Sequence, residues 1–378
     1  MELAAGASRP AQVVVDLDAV AANLDFLRRC AGSAALLAVV KADAYGHGVE
    51  RLGPFLASRG VGWFGVALVE EGIRLREAGV GGRILVLGPV VEAERRAVID
   101  QGLTPLVSSL EQLRGWASWS RDVRTPIRFH LKVDTGMGRW GLAMEELAEA
   151  RRVLEMAAGN DGRLRLEGIA SHFADAELPE SAHNREQQRR FGEALETLRP
   201  VSPEGVLRHM TNSAALLHLP ESRLDLVRVG LALYGVDPAG EHPGLEGVMR
   251  VECSVAEVRE LPVGATVGYG STWTASRPSR IGLLPLGYAD GVPWRLGNRG
   301  QVLTDGGRAP IVGRVSMDSL AVDLTGTQVG HGDPVVLLGR HGGDRITAHD
   351  LASWAETSPY EILCGFAGRL PRRYVQGS

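Results

Sequence analysis

The sequence predicts an α/β fold, an N-terminal (β/α)8 barrel of the TIM type followed by a separate C-terminal β-rich domain. Three observations carry this. From residue 35 to about 235 one rhythm repeats: a short Val/Leu/Ile-rich run, a turn, then a helical pattern charged on one face, as βα units around a parallel sheet require. The apolar runs number eight, the count that closes such a barrel. After about Pro238 the texture changes to short apolar runs between Gly and Pro turns.

Residues 13–16 make an early strand that the barrel does not need, so it is expected to pair with the C-terminal domain. The barrel strands are expected at 36–41, 62–67, 83–88, 103–108, 127–133, 165–171, 206–210 and 226–229. Between them, 142–156 and 184–198 suit outer-ring helices, the latter with Phe191, Leu195 and Leu198 near one face. Asp237, Pro238 and the segment to Gly247 form the expected link, giving a barrel domain over 1–240 and a β domain over 241–378. In the second domain only 346–355 reads as helical.

Composition narrows the function. With 378 residues, 44% of them hydrophobic, the chain can bury a large core without disulfides. Its 48 glycines are roughly twice ordinary usage, which suggests tight turns and close backbone approach to a ligand. A net charge of −4 without long like-charge runs recommends neither nucleic acid nor an anionic membrane as partner. No uncharged stretch reaches the roughly 18 residues of a spanning helix, and the start, MELAAGASRP, lacks a signal peptide's apolar centre. Cys30, Cys253 and Cys364 are odd in number and far apart, which favours reduced thiols and a cytoplasmic location.

In such a barrel the reactive groups stand where strands end and βα loops begin. There the sequence places Lys41, then Lys132, Asp134 and Arg139, then His172, then Asn212 and Ser213, then Arg228 and Gly230. Lys41 closes an apolar run, where an unpaired ammonium is costly; a partly desolvated lysine is what chemistry with a carbonyl needs, and a snorkelling strand-end lysine is the alternative. Tyr45, Gly46 and Gly48 follow, and VRVGLALYG offers N–H groups at a helix start, where phosphate binds well. A lysine with a phosphate cradle suggests pyridoxal 5′-phosphate.

Other patterns read more plainly. Gly136-Met-Gly-Arg-Trp-Gly141 matches G-x-G-x-x-G, but lacks the acid about 20 residues on, so a tight turn carrying Arg139 is the preferred reading. His172, Asp175 and Glu177 lack a second histidine spaced for zinc, so no metal is expected. His47 and His209 read as ordinary polar or partly buried residues.

Taken together the motifs resemble those of the alanine racemase family, over nearly the whole chain: AVVKADAYGHG, KVDTGMGRWG, SHFADAE, TNSAALL, VRVGLALYG, VGYGSTW, GYADG and VGRVSMD, in the family's order. The resemblance implies a pyridoxal-phosphate enzyme interconverting L- and D-alanine. It implies that Lys41 holds the cofactor and exchanges the α-proton on one face while Tyr269 serves the other. Arg139 and the Met317 backbone would bind the substrate carboxylate, Arg228 would contact the pyridine nitrogen, and His172 would bridge toward Arg228. Tyr45, Asn212, Ser213, Gly230, Leu231 and Tyr360 would complete the cofactor site, and Lys132 matches a lysine carbamylated in many members. Tyr269, Tyr288, Met317 and Asp318 would complete a partner's site, so an obligate homodimer is expected.

Several positions depart from the family pattern: Val229 for proline, Ser316 for cysteine, Trp140 for leucine, Glu177 for aspartate and Trp294 for arginine. In the family the last two positions pair along the substrate corridor, so the resemblance implies that an ion pair gives way here to a large apolar plane. A racemase acting on serine or another amino acid, and a non-catalytic cofactor carrier, are the competing readings; the second domain and Tyr269 argue against the carrier.

Overall fold

In the computed structural model, which describes residues 9–158, 163–366 and 368–377, the first described strand, β1 (Ala11–Asp16), does not join the barrel. The next eight strands do: β2 (Ala35–Val39), β3 (Trp63–Val66), β4 (Arg83–Val86), β5 (Thr104–Val107), β6 (Ile127–Lys132), β7 (Leu164–Ala170), β8 (Leu207–His209) and β9 (Leu226–Val229). They form one parallel sheet in the order β8-β7-β6-β5-β4-β3-β2-β9. Backbone bonds from Asp225 N to Arg208 O and from Arg228 N to Thr211 O, both 3.0 Å, draw the two ends together. Runs such as ALLAV, RILV and TPLV are apolar on both faces because barrel interior and outer helices bury them from both sides.

The helix Ala182–Leu198 presents Phe191, Ala194 and Leu198 to that core. The helix expected from residue 142 starts later, as a single 3-10 turn at Met144–Glu146 leading into Leu147–Ala158.

The second domain is built on a ten-stranded sheet that includes β1. There β1 pairs antiparallel with β10 (Met249–Ser254) and parallel with the last strand, Arg372–Val375. Hydrogen bonding therefore crosses the expected division at residue 240, with residues 11–16 held in the second sheet. Beside the expected helix, seen at Ala348–Ala355, stands a second at Pro359–Gly365. Ser358 caps it through Glu361 N, and Pro359 at its first position is a helix-start signal.

Candidate active site

Lys41 follows β2 by two residues and is half-buried at the barrel mouth. Burial lowers its ammonium pKa, with the nearby Arg139 charge adding to the effect. The backbone after it is unusual. Ala42, Asp43, Ala44 and Tyr45 have φ of 52°, 56°, 54° and 53°, a left-handed turn of four L-residues that each pay roughly 1–2 kcal/mol in steric strain. Side chains within and beyond the turn hold it. Glu71 accepts Ala42 N at 2.6 Å through one carboxylate oxygen and Ala67 N at 2.7 Å through the other, and Asp43 accepts Val49 N at 2.9 Å. The fully buried His47 donates from Nδ1 to Ala44 O and Tyr45 O, both at 2.9 Å, and stacks on Tyr234. His47 is thus a structural pin rather than an ordinary polar residue.

Arg228, on β9, is buried under a nearly complete set of acceptors. Nη2 donates to Ser171 O at 2.7 Å and to His172 Nδ1 at 3.0 Å, and Nη1 to His209 Nδ1 at 2.6 Å. His209 Nε2 lies 2.8 Å from Nδ1 of the equally buried His130. Beyond that, His130 Nε2 stands 3.9 Å from Glu167, which is paired with Arg83 at 2.9 Å. Burial together with the Arg228 charge pushes His172 and His209 well down and His130 to about 3, so all three are neutral imidazoles. His209 is therefore a partner of Arg228, and His130 belongs with it; a histidine inside the apolar strand IRFHLK was the available signal.

Around Gly230 lies a cradle. A Cβ at Gly230 would meet Tyr45 Oη at 2.5 Å, so only glycine leaves this space. Ser213 Oγ accepts Gly230 N at 2.9 Å and Ala232 N at 3.3 Å, which leaves its own O–H to donate elsewhere. Asn212 caps the helix Ser213–His218 through Ala215 N, and Leu231 opens the turn Leu231–Tyr234. Tyr360, from the unforeseen second helix, has its ring 6.1 Å from that of Tyr45.

Hydroxyls and amides around a bare glycine suit an anionic oxygen group. The Nε–H of Arg228 has no protein acceptor among the described residues and suits an acceptor-only ring nitrogen. The donor set thus fits pyridoxal phosphate, with Lys41 at the same mouth.

The G-x-G-x-x-G match is a turn. The Asp134 carboxylate accepts N–H bonds from Gly136, Met137 and Gly138, all three glycines have positive φ, and no helix begins there. A carboxylate occupies the position a dinucleotide phosphate would need. Arg139 projects from this turn, exposed. Lys132 is buried close to it, its pKa lowered to about 8 by burial first and then by Arg228 and Arg139.

A second group of expected residues stands apart on the other domain. Tyr269 is 73% exposed and Tyr288, Trp294 and Met317 are also solvent-facing, while Asp318 pairs with Arg369 at 2.7 Å. Among the described residues no hydrogen bond, ion pair or ring contact joins Tyr269 to Lys41. Trp294 lies under the guanidinium of Arg314, 5.6 Å from ring centroid to Cζ, and Glu177 is exposed. No sequence pattern marks Arg314.

Among the described residues no group of three or more His, Cys, Asp or Glu could hold a metal ion, and no helix is long and apolar enough to cross a membrane. A cleft of about 1280 Å³ between residues 234–250 and the second domain reaches neither Lys41 nor Arg228.

Comparison with known proteins gives a consistent result. The family model for the alanine racemase N-terminal domain matches residues 15–238, and that for the C-terminal domain matches 248–374. The alanine racemase of Symbiobacterium thermophilum is 40% identical over 373 residues, covering 97% of each chain. The crystal structure of alanine racemase from D-cycloserine-producing Streptomyces lavendulae superposes with a TM-score of 0.94 at 36% identity, covering 98% of both chains. That of alanine racemase from Bartonella henselae, with covalently bound pyridoxal phosphate, gives 0.88 at 32% identity over 97% of this chain and 99% of the other.

Proposed function

The chain belongs to the alanine racemase family, and we propose that it interconverts L- and D-alanine with pyridoxal phosphate by a two-base mechanism. The observation that carries this is the convergence of a desolvated Lys41, the Gly230 cradle and the buried Arg228 at one barrel mouth. When bound, the cofactor supplies a conjugated ring able to accept the electron pair left when an α-proton departs. Lys41 would hold it covalently, the hydroxyls of Tyr45, Ser213 and Tyr360 with the backbone at Gly230 and Leu231 would hold its phosphate, and Asn212 fixes the loop that carries Ser213. Arg228 would meet the ring nitrogen and His172 would contact the ring.

The Lys41 amine would take or return the α-proton on one face, its lowered pKa favouring the neutral form. Tyr269 of the partner subunit would do so on the other. Because a guanidinium keeps its protons, Arg228 would leave the ring a restrained electron sink, which would favour return of the proton to the α-carbon. Arg139 and the Met317 backbone bind the substrate carboxylate, with Tyr288 and Asp318 completing the partner-side wall. The exposure of Tyr269 in a single chain, out of contact with Lys41, is the support for an obligate homodimer.

Lys132, low enough in pKa to have an appreciable neutral fraction, reacts with CO2 to form a carbamate and a released proton, placing an anion beside Arg139. Three free thiols agree with a reducing, cytoplasmic setting, and a small amino acid is the ligand in place of nucleic acid or membrane. Trp294 under Arg314 favours a second reading, a preference extended beyond alanine to serine or a larger amino acid at the corridor with Glu177.

The test is incubation of the cofactor-loaded protein with L-alanine in deuterated water, followed by chiral and mass analysis. D-alanine carrying α-deuterium is expected. Label that neither enters nor inverts, with cofactor bound, would refute alanine racemisation.

A further inference from the structure

We propose that Arg372 and Tyr374, on the last strand of the second domain, are positioning residues for Lys41: they clamp the left-handed turn that presents it. Seating of the chain's last strand and presentation of the reactive amine are then one event. The inference rests on the reading of Lys41 given above.

Four consecutive L-residues in the left-handed region are strained, and the local bonds from His47 and Asp43 are joined by a grip from a distant strand. Arg372 and Tyr374 grip the turn and the two residues after it, and they come from more than 300 residues away. Arg372 Nε donates to Gly46 O at 3.0 Å, and its guanidinium pairs with the Asp43 carboxylate at 3.3 Å. Tyr374 donates its hydroxyl to His47 O at 3.1 Å.

The two side chains share a face because they alternate along a strand whose parallel partner, β1, sets Val13 opposite Arg372 and Val15 opposite Tyr374. The receiving surface is cut to fit. A Cβ at Gly48 would fall 1.9 Å from Tyr374 Oη, and Gly48 has φ of 91°, so tyrosine seats there only against glycine. Leu363 O closes the same turn at Gly46, where a Cβ would come within 2.4 Å. By contrast the Arg345–Glu241 pair, at 2.6 Å, is exposed and touches no part of the turn.

The experiment compares holoprotein of wild type with Arg372→Ala, Arg372→Lys, Tyr374→Phe and, as a control, Arg345→Ala. Melting temperature, hydrogen exchange at amides 42–49, visible circular dichroism of the bound cofactor, and kcat and KM for alanine are measured. The clamp predicts faster exchange confined to 42–49 and a weakened visible band in Arg372→Ala and Tyr374→Phe. It predicts kcat lowered about tenfold or more, with KM moved far less, because a displaced reactive group costs rate before binding. Arg372→Lys should recover part of each loss, and Arg345→Ala should show none. Should Arg372→Ala fail to fold, Tyr374→Phe, which removes one hydroxyl, decides the matter. Exchange, visible band and kcat equal to the control in the folded variants would overturn the clamp. A wild type that neither loads cofactor nor inverts alanine would instead overturn the functional reading, with exchange at 42–49 still deciding whether the turn is clamped.

Discussion

Arg228 donates from Nη1 to Nδ1 of His209 at 2.6 Å, and this one bond orients a chain of protons through the barrel. A guanidinium has no acceptor, so His209 Nδ1 must be bare and its proton must sit on Nε2. That proton points at His130 Nδ1, 2.8 Å away, which in turn puts the His130 proton on Nε2, facing Glu167.

The first prediction is therefore tautomeric. ¹⁵N NMR of labelled histidines should show His209 and His130 neutral and protonated at Nε2 across about pH 5.5 to 7.5, where free histidine titrates. A signal for Nδ1–H at either residue would contradict the chain.

Acid stability follows from the buried imidazoles. Burial lowers the His47 pKa to about 4, against about 6.5 in the unfolded chain. The unfolded state thus binds a proton first as pH falls. The contribution of His47 is fully present above pH 6.5 and is lost progressively between 6.5 and about 4, up to about 3 kcal/mol for this one group. Urea midpoints measured from pH 7.5 to 4 should fall steeply, and His47→Asn should be less stable at pH 7.5 but flatter with pH. A wild-type midpoint independent of pH over this window would count against it.

Gly230 should tolerate no side chain. In Gly230→Ala the new methyl must displace the buried Tyr45 hydroxyl that lies 2.5 Å from it, costing roughly 1–3 kcal/mol in overpacking. Cofactor affinity, measured by equilibrium dialysis, should fall about tenfold or more. Unchanged affinity would remove Gly230 and Tyr45 from the phosphate site.

The corridor prediction concerns Trp294. Its indole lies under the Arg314 guanidinium, a contact worth about 0.5–2 kcal/mol, and Trp294→Arg would set two cations side by side. Relative kcat/KM across alanine, serine and larger amino acids should shift, with cofactor loading unaltered. An unchanged ranking would show that Trp294 does not set preference.

Much of this was legible from residue order alone, and the reason is physical. Parallel barrel strands are buried on both faces, so runs such as RILV and LVRV stand out, and chemistry-bearing residues must lie at their ends. Lys41, Arg228 and Ser213 were found in that way. Glu71, Arg372 and Tyr374 were not, because their role is to hold backbone N–H and C=O groups of a turn formed by residues distant in sequence, and no local pattern records such a partnership. The left-handed turn was hidden for a related reason: KADAY contains no glycine to announce it. Arg314 was hidden because its significance depends on the indole beneath it.

The central claim is that Lys41 of one chain and Tyr269 of another make one reaction site. It is tested by mixing Lys41→Ala with Tyr269→Phe, each defective alone, the latter by roughly 10²- to 10⁴-fold, and following alanine racemisation as subunits exchange. In a symmetric dimer each heterodimer regains one intact site, so activity should climb to about a quarter of the wild-type level by random reassortment. No recovery, with heterodimers demonstrated by native mass spectrometry, would contradict the shared site and return both residues to a single chain.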